Sequence, residues 1–357
     1  MTMIIKRDYY LQQLISSKSN NLIKIVTGIR RSGKSFLLFN LFHNHLIETG
    51  ISEDHIIEIA LDDRLNKNLR DPDVILQHIH ERIVDDKLYY IILDEVQMID
   101  EFTDVLNSLL HIRNADVYVT GSNSKFLSKD VVTEFRGRGD EIHLFPLSFA
   151  ELYNSIGGDK FELWKSYYTY GGLPGILELD SEKKKAAYLR SLHETVYLKD
   201  IIERNNLKNS EEFMELMRVM ASCIGSPCNP SKLENTFKSV KNETLDRKTI
   251  SKYLSYMEDA FLIEKSMRYD IKGRKYIGTL SKYYFQDIGL RNALLNFRQV
   301  EENHIMENVI YNELRLRGFC VDVGMVEART AKERKQLEVD FVANMADRRY
   351  YIQSAFA

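Results

Sequence analysis

The sequence predicts an α/β fold with a parallel sheet at its N-terminal end, and three stretches carry that expectation. NLIKIVTG is an apolar run rich in β-branched residues. The glycine-broken segment GIRRSGKS follows it, and SFLLFNLFHNHLIE then repeats apolar residues at helical spacing. YYIILDE is the unbroken apolar run of a strand buried on both faces, and DVYVTGSN is a third strand ending in small polar residues.

Strand, loop and helix in that order make Gly28 to Ser35, of the form G-x-x-x-x-G-K-S, a phosphate-binding P-loop. Backbone N–H groups between Gly28 and Gly33 can point inward around a phosphate, and the following helix adds the positive end of its dipole. The glycines let the backbone approach closely. Lys34 would reach the β- and γ-phosphates, and the Ser35 hydroxyl would ligate Mg²⁺. The cofactors implied are ATP and Mg²⁺, with the nucleotide cradled by Gly28, Ile29, Arg30, Arg31, Ser32, Gly33, Lys34, Ser35 and Phe36.

Such a loop needs a second, acidic site, which YYIILDEVQMID supplies as adjacent carboxylates at a strand end. Asp94 would hold Mg²⁺ through its water shell, and Glu95 would orient and activate the attacking water. At the end of DVYVTGSN, Ser122 or Asn123 is placed to sense the γ-phosphate, although a polar turn after a strand needs no such role. In TEFRGRGDEIHLFPLSFAEL, Arg136 and Arg138 lie on a glycine-broken loop. Either could act as an arginine finger on a neighbouring subunit's nucleotide, or both could be plain exposed arginines.

Length and composition set bounds on the rest. At 357 residues the chain has room for two or three domains, and 44% hydrophobic with 28% charged residues excludes disordered and fibrous classes. The longest apolar runs fall far short of the roughly 20 residues that span a bilayer, and MTMIIKRDYY lacks a signal peptide's apolar core. A cytoplasmic protein without a membrane anchor is expected. Cys223, Cys228 and Cys320 offer no disulfide, zinc or redox spacing and read as reduced core thiols. The net charge of −3 conceals a basic segment: Ser231 to Lys282 holds 12 Lys and Arg against 7 Asp and Glu. That local +5 suits either nucleic acid or a solvated face.

GIRRSGKS, IILDEVQ, VYVTGSNS and RGRGDEIHLFPLSFAEL, in this order and at these separations, resemble the prokaryotic AAA+ ATPases whose catalytic domain is followed by a C-terminal domain of unknown function. YGGLPGIL at 170–177 and LKDIIERNN at 198–206 are similar to that family as well. The resemblance implies a P-loop NTPase core of ASCE type, a helical lid, a winged-helix region and a degraded nuclease-like region. It also implies phosphate binding by Lys34 and Ser35, metal and hydrolysis roles for Asp94 and Glu95, and a sensor near Ser122 and Asn123. The expected organisation is a core over 1–153, a lid over 154–215, a winged-helix region over 216–290 and a nuclease-like α/β region over 291–357.

The later residues fit those expectations in outline. Helices are expected from Phe161 to Asn206, interrupted at GGLPG, as suits a lid or a plain helical subdomain. SEEFMELMRVMASCIG carries a Met-rich stripe of core type. A helix from about Ser231, a second over 246–260 with Thr249 as N-cap, and two strands around IKGR give the order of a winged helix. Lys248, Lys252, Arg268, Lys272, Arg274 and Lys275 fall on that second helix and hairpin, where they would meet DNA phosphates or flank a protein-docking face. The final segment, helix then strands, resembles the restriction-endonuclease-like core, with Glu307 or Glu313 on the helix and Asp340 on a strand. Gln353 and Ala355 stand where active members carry an acid and a lysine, so ATPase activity without nuclease activity is expected. The end at YYIQSAFA, on an apolar strand with no helix after it, reads as a truncation. ATP, DNA, a protein partner and a second copy of the chain are the partners to be weighed.

Overall fold

The computed structural model describes residues 5–121, 138–241, 245–298, 301–329 and 334–355. Two compact units divide the chain, Met1–Leu144 and Phe145–Ala357.

The first unit is built on five parallel strands: β1 (Ile23–Thr27), β2 (Ile56–Ala60), β3 (Tyr89–Asp94), β4 (Ala115–Thr120) and β5 (Gly139–His143). Their spatial order is β2-β3-β4-β1-β5. Every residue of β1 and of β3 is buried, as the unbroken apolar runs required of a sheet covered on both faces. Ile91, Leu93, Val117 and Val119 join Leu106 and Leu109 of the helix Phe102–Leu109 in one apolar core. Pairing of Val26 with Thr120, and of Leu93 with Val119, brings the C-terminal ends of β1, β3 and β4 to the same edge. Ligands of open parallel sheets bind at that edge. Lys24, in the middle of β1, is fully buried and ion-paired with Asp116 of β4.

The second unit begins with helices Phe149–Ile156, Lys160–Tyr170, Glu182–Leu192, Lys199–Asn205 and Ser210–Ser222. Ser148 and Glu151 cap the first reciprocally, and the π-turn His193–Leu198 joins the third to the fourth. Phe213, Leu216, Met217 and Met220 are buried, so the Met-rich stripe is core. The helices Lys160–Tyr170, Glu182–Leu192 and Ser210–Ser222 all pack on the short, wholly buried helix Ile288–Leu294.

GGLPG is the seam of that packing. The Gly172 N–H donates to the buried Asp287 carboxylate at 2.8 Å, and Asp287 also caps the helix Ile288–Leu294 through the Leu290 N–H at 2.9 Å. A Cβ on Gly172 would stand 2.1 Å from the Leu147 carbonyl oxygen, so the backbones touch only because the residue is glycine. Burial pushes the Asp287 carboxyl up to about 6.

Helices Pro230–Lys241 and Arg247–Asp259 precede the hairpin β6 (Ile263–Asp270) and β7 (Lys275–Phe285), in the expected order. The hairpin does not stand free. It shares a five-stranded mixed sheet with β8 (Cys320–Arg329), β9 (Arg334–Met345) and β10 (Arg348–Ile352), in the order β10-β9-β8-β6-β7. The β6–β8 pairing is parallel and the others are antiparallel. The helix Glu302–Leu316 packs on this sheet, where Tyr311 stacks on Tyr284 at 4.1 Å between ring centroids.

Three local expectations are corrected. The N-cap of Arg247–Asp259 is Asp246, which accepts from the Lys248 and Thr249 N–H groups; Thr249 lies inside the first turn. Cys320, at the first residue of β8, is exposed and so no core thiol, although all three cysteines are free. Arg268 is buried, with its guanidinium against the Met325 sulfur of the neighbouring strand β8, and is no exposed wing cation.

Candidate functional site

The loop after β1 owes its shape to three left-handed residues. Gly28 has φ 137°, Arg31 66° and Gly33 98°. At Gly28 a Cβ would lie 2.2 Å from the Leu144 carbonyl oxygen, so the first glycine of the motif is a requirement of backbone contact. Gly33 is the N-cap from which the helical run starts, as Lys34–Phe36, the π-turn Leu37–Phe42 and His43–Glu48. The Lys34 ammonium folds back into the loop, donating to the carbonyls of Gly28 at 3.0 Å and Ile29 at 3.2 Å. Burial lowers its pKa, against the pull of Glu95 and Asp94.

Among the described residues Lys34 therefore rests on neutral acceptors and has no carboxylate in direct contact. Ser32 is fully buried, and its hydroxyl has no hydrogen-bond partner among them. Its carbonyl accepts from Arg7 at 3.3 Å. An unpaired hydroxyl beside a lysine held only by loop carbonyls is the donor set that a phosphate would satisfy.

The acidic half comes from β3 and β4. Ser35 donates to Asp94 Oδ2 at 2.7 Å, and the Thr120 hydroxyl donates to Asp94 Oδ1. The same Thr120 oxygen accepts the Glu95 N–H at 2.9 Å. Glu95 is in the left-handed region at φ 54°, a conformation that turns the chain sharply after the strand, and its carboxylate accepts from Gln97. Burial raises the Asp94 carboxyl, while the hydroxyls of Thr120 and Ser35 act in the opposite direction. Ser35, Asp94, Glu95 and Lys34 are thus gathered at one edge of the sheet. The residues fit a hydrated divalent cation, since the Ser35 hydroxyl and the Asp94 carboxylate are oxygen donors within hydrogen-bonding distance of each other.

Ser122, Asn123 and Arg136 lie outside the described residues. Arg138 is exposed, donates to Asn107 at 3.2 Å and precedes β5 at the edge of the sheet opposite the P-loop, where its carbonyl accepts the Ile23 N–H. The structure therefore does not bring Arg138 to the phosphate loop of its own chain. Thr120 is the residue that sequence reasoning passed over. It stands two positions before Ser122, as the last residue of the strand, and reads there as an ordinary β-former.

A second polar cluster lies under the helix Glu302–Leu316. Of the two carboxylates considered there, Glu307 is buried, whereas Glu313 pairs with Arg317 on the surface. Lys282 of β7, 2% exposed, pairs with Glu307 at 2.8 Å and Glu338 at 2.7 Å. Burial alone would lower its pKa, but Glu307 and Glu338 outweigh it and hold the ammonium above its ordinary range. Asp340 accepts from the Gln353 amide, the Ser354 N–H and the Ser354 hydroxyl at 2.7–2.8 Å. Lys282 comes to Glu338 from a strand more than fifty residues earlier in the chain.

The AAA domain family matches residues 20–153. An uncharacterized protein of Haemophilus influenzae is 34% identical over 360 residues, covering 99% of this chain and 87% of the relative. The chain carries an AAA domain and belongs to one family with this relative. An uncharacterized protein of Methanocaldococcus jannaschii is 30% identical over 357 residues, covering 95% and 75%. A second family, Domain of unknown function (DUF8612), matches residues 161–301. Among solved structures, the Aeropyrum pernix ORC1 protein in complex with DNA is similar at TM-score 0.33 and 12% identity, covering 82% of this chain and 93% of that one. The S. cerevisiae Hsp104:casein complex is similar at TM-score 0.39 and 12% identity, covering 78% and 58%.

The parallel five-stranded sheet is the AAA P-loop fold, and the loop, Asp94 and Thr120 all lie inside the matched AAA domain. Among the described residues no helix is long and apolar enough to cross a membrane.

Proposed function

We propose that the AAA domain binds Mg·ATP and hydrolyses it to ADP and phosphate, and that the C-terminal unit uses the cycle to act on nucleic acid. One observation carries the first part: Ser35 and Thr120 both donate to Asp94 while Thr120 also takes the Glu95 amide, so loop, metal-side carboxylate and catalytic carboxylate form one connected set. Mg²⁺, held by Ser35 and Asp94, would neutralise charge on the β- and γ-phosphates. Lys34 leaves the Gly28 and Ile29 carbonyls to pair with the same phosphates, and the loop N–H groups surround them. Glu95 takes the proton of the attacking water, and Thr120 fixes the backbone from which Glu95 projects. Asn123 would sense the γ-phosphate. Arg138 lies at the sheet edge away from its own loop, which supports its service, or that of Arg136, on the nucleotide of a neighbouring subunit in an oligomer.

The division into core (1–153), lid (154–215), winged-helix region (216–290) and nuclease-like region (291–357) is proposed with this reading. The exposed Lys248, Lys252, Lys272, Arg274 and Lys275 support contact with DNA phosphates. The C-terminal cluster supports binding without cleavage, because Lys282 is committed to two carboxylates and Asp340 to Gln353 and Ser354. A second reading gains from the burial of Arg268 and the neutralisation of Lys282, which shrink the basic face: a nucleotide-controlled switch that docks a protein with little turnover.

The steady-state ATPase rate of the full chain, with and without double-stranded DNA, separates the two, with Glu95→Gln as the blank. Turnover above the blank that DNA raises supports the nucleic-acid motor. Turnover that DNA leaves unchanged, with no DNA bound, transfers the reading to the docking switch. A wild-type rate equal to the blank contradicts hydrolysis.

A further inference from the structure

The second unit contains a small cavity of 50 Å³ on which none of the roles above draws. It lies where the π-turn after the helix Glu182–Leu192 meets the helix Ser210–Ser222 and the end of the helix Ile288–Leu294. Its lining includes Arg190, His193, Glu194, Met214, Arg218 and Asn296. All of these fall within the matched domain of unknown function.

Three features give the cavity a chemical preference. His193 is 5% exposed, and its Nε2 is buried without a hydrogen-bond partner among the described residues. An unpaired buried nitrogen is costly, and a ligand in the cavity would relieve that cost. Arg190 is exposed and makes no hydrogen bond or ion pair among the described residues, while Arg218 reaches only Glu215 at 3.4 Å and the Met214 sulfur at 3.5 Å. Two guanidinium groups stand in the lining against the single carboxylate of Glu194, with Glu215 at 3.4 Å from Arg218. The imidazole itself is neutral at pH 7, pushed down to about 4 by burial and by Arg218, and a neutral ring can still donate through Nε2. His193 is the first residue of the π-turn, and π-bulges are often found at functional sites. A water needs ~10–15 Å³ of such space, so the cavity holds more than one water and has room for a compact oxyanion.

We infer that Arg190, His193 and Arg218 form an anion subsite for a single phosphate group, bonded by two guanidinium groups and the His193 Nε2–H. Planar guanidinium forks suit phosphate oxygens, and the buried imidazole adds a fixed third donor. The phosphate could be free or part of a phosphodiester backbone.

The test uses the full chain carrying Lys34→Ala, so that the P-loop does not compete, with the His193 ring nitrogens followed by ¹⁵N NMR. Inorganic phosphate is expected to shift Nε2 saturably, and Arg190→Gln, at an exposed position that leaves the fold intact, to weaken this about tenfold or more, the loss of one charge-assisted hydrogen bond. Dimethyl phosphate titrated in the same way distinguishes the sources: saturation by it assigns a backbone phosphate, and saturation by inorganic phosphate alone assigns a free one. A shift that stays linear with both probes, or an affinity unchanged in Arg190→Gln, overturns the assignment.

Discussion

In the AAA domain the functional polar groups sit at the ends of the strands; in the second unit they sit in the middle of the sheet. Ser35, Asp94, Glu95 and Thr120 crowd one edge of five parallel strands, and between their ends β1, β3 and β4 carry no charged residue but Lys24 and its partner Asp116. Lys282, Glu307 and Glu338 instead lie on or against the face of the mixed sheet, largely removed from water. A strand end can expose a carboxylate to a ligand at small cost, whereas a charge on a covered sheet face must be matched by another within hydrogen-bonding reach. The first arrangement is suited to turnover, and the second fixes the geometry of a fold.

That contrast can be broken by substitution, and the largest effect is expected in the second unit. Lys282→Met strands Glu307 and Glu338 without their cation and should cost about 3–5 kcal/mol. The single tryptophan, Trp164, lies in that unit and reports its urea unfolding by fluorescence. Adding Glu307→Gln should recover part of the loss; a cost below about 1 kcal/mol for Lys282→Met alone would mean that the ion pairs are not matched as described. In the AAA domain, Thr120→Val leaves Asp94 Oδ1 without its hydroxyl donor and the Glu95 N–H without its acceptor. A loss of about 1–3 kcal/mol is expected, seen as faster hydrogen exchange at the ends of β3 and β4. Unchanged exchange there would remove Thr120 from its bridging place. The smallest effect is expected for Asp246→Ala, a modest loss from the missing N-cap of the helix Arg247–Asp259, with Thr249→Ala costing less by the same urea unfolding. The reverse order would restore Thr249 as the cap.

The same contrast explains what the sequence made legible. GIRRSGKS and IILDE are contiguous, and each residue's task follows from its neighbours in the chain, so loop, strand and carboxylates could be placed without a structure. Thr120 was missed because a threonine ending a strand has no distinctive local signal; only register beside β3 gives it a role. The hairpin β6–β7 was legible as a hairpin, but its membership in a sheet with β8, β9 and β10 depends on pairing across some fifty residues. The pairing of Lys282 with Glu307 and Glu338 was not legible, because a sheet brings strands together regardless of their separation in sequence. Asp246 outcompeted Thr249 at the helix start because its carboxylate accepts two N–H groups at once.

The central claim is that Lys34 and its loop hold the phosphates of ATP. Equilibrium binding of ATP with Mg²⁺ to the wild-type chain, to Lys34→Ala and to Glu95→Gln tests it most directly. The account predicts that Lys34→Ala loses binding by about 10²-fold or more, the loss of charge-assisted bonds to two phosphates, while Glu95→Gln binds as tightly as wild type. Tight ATP binding by Lys34→Ala would contradict it.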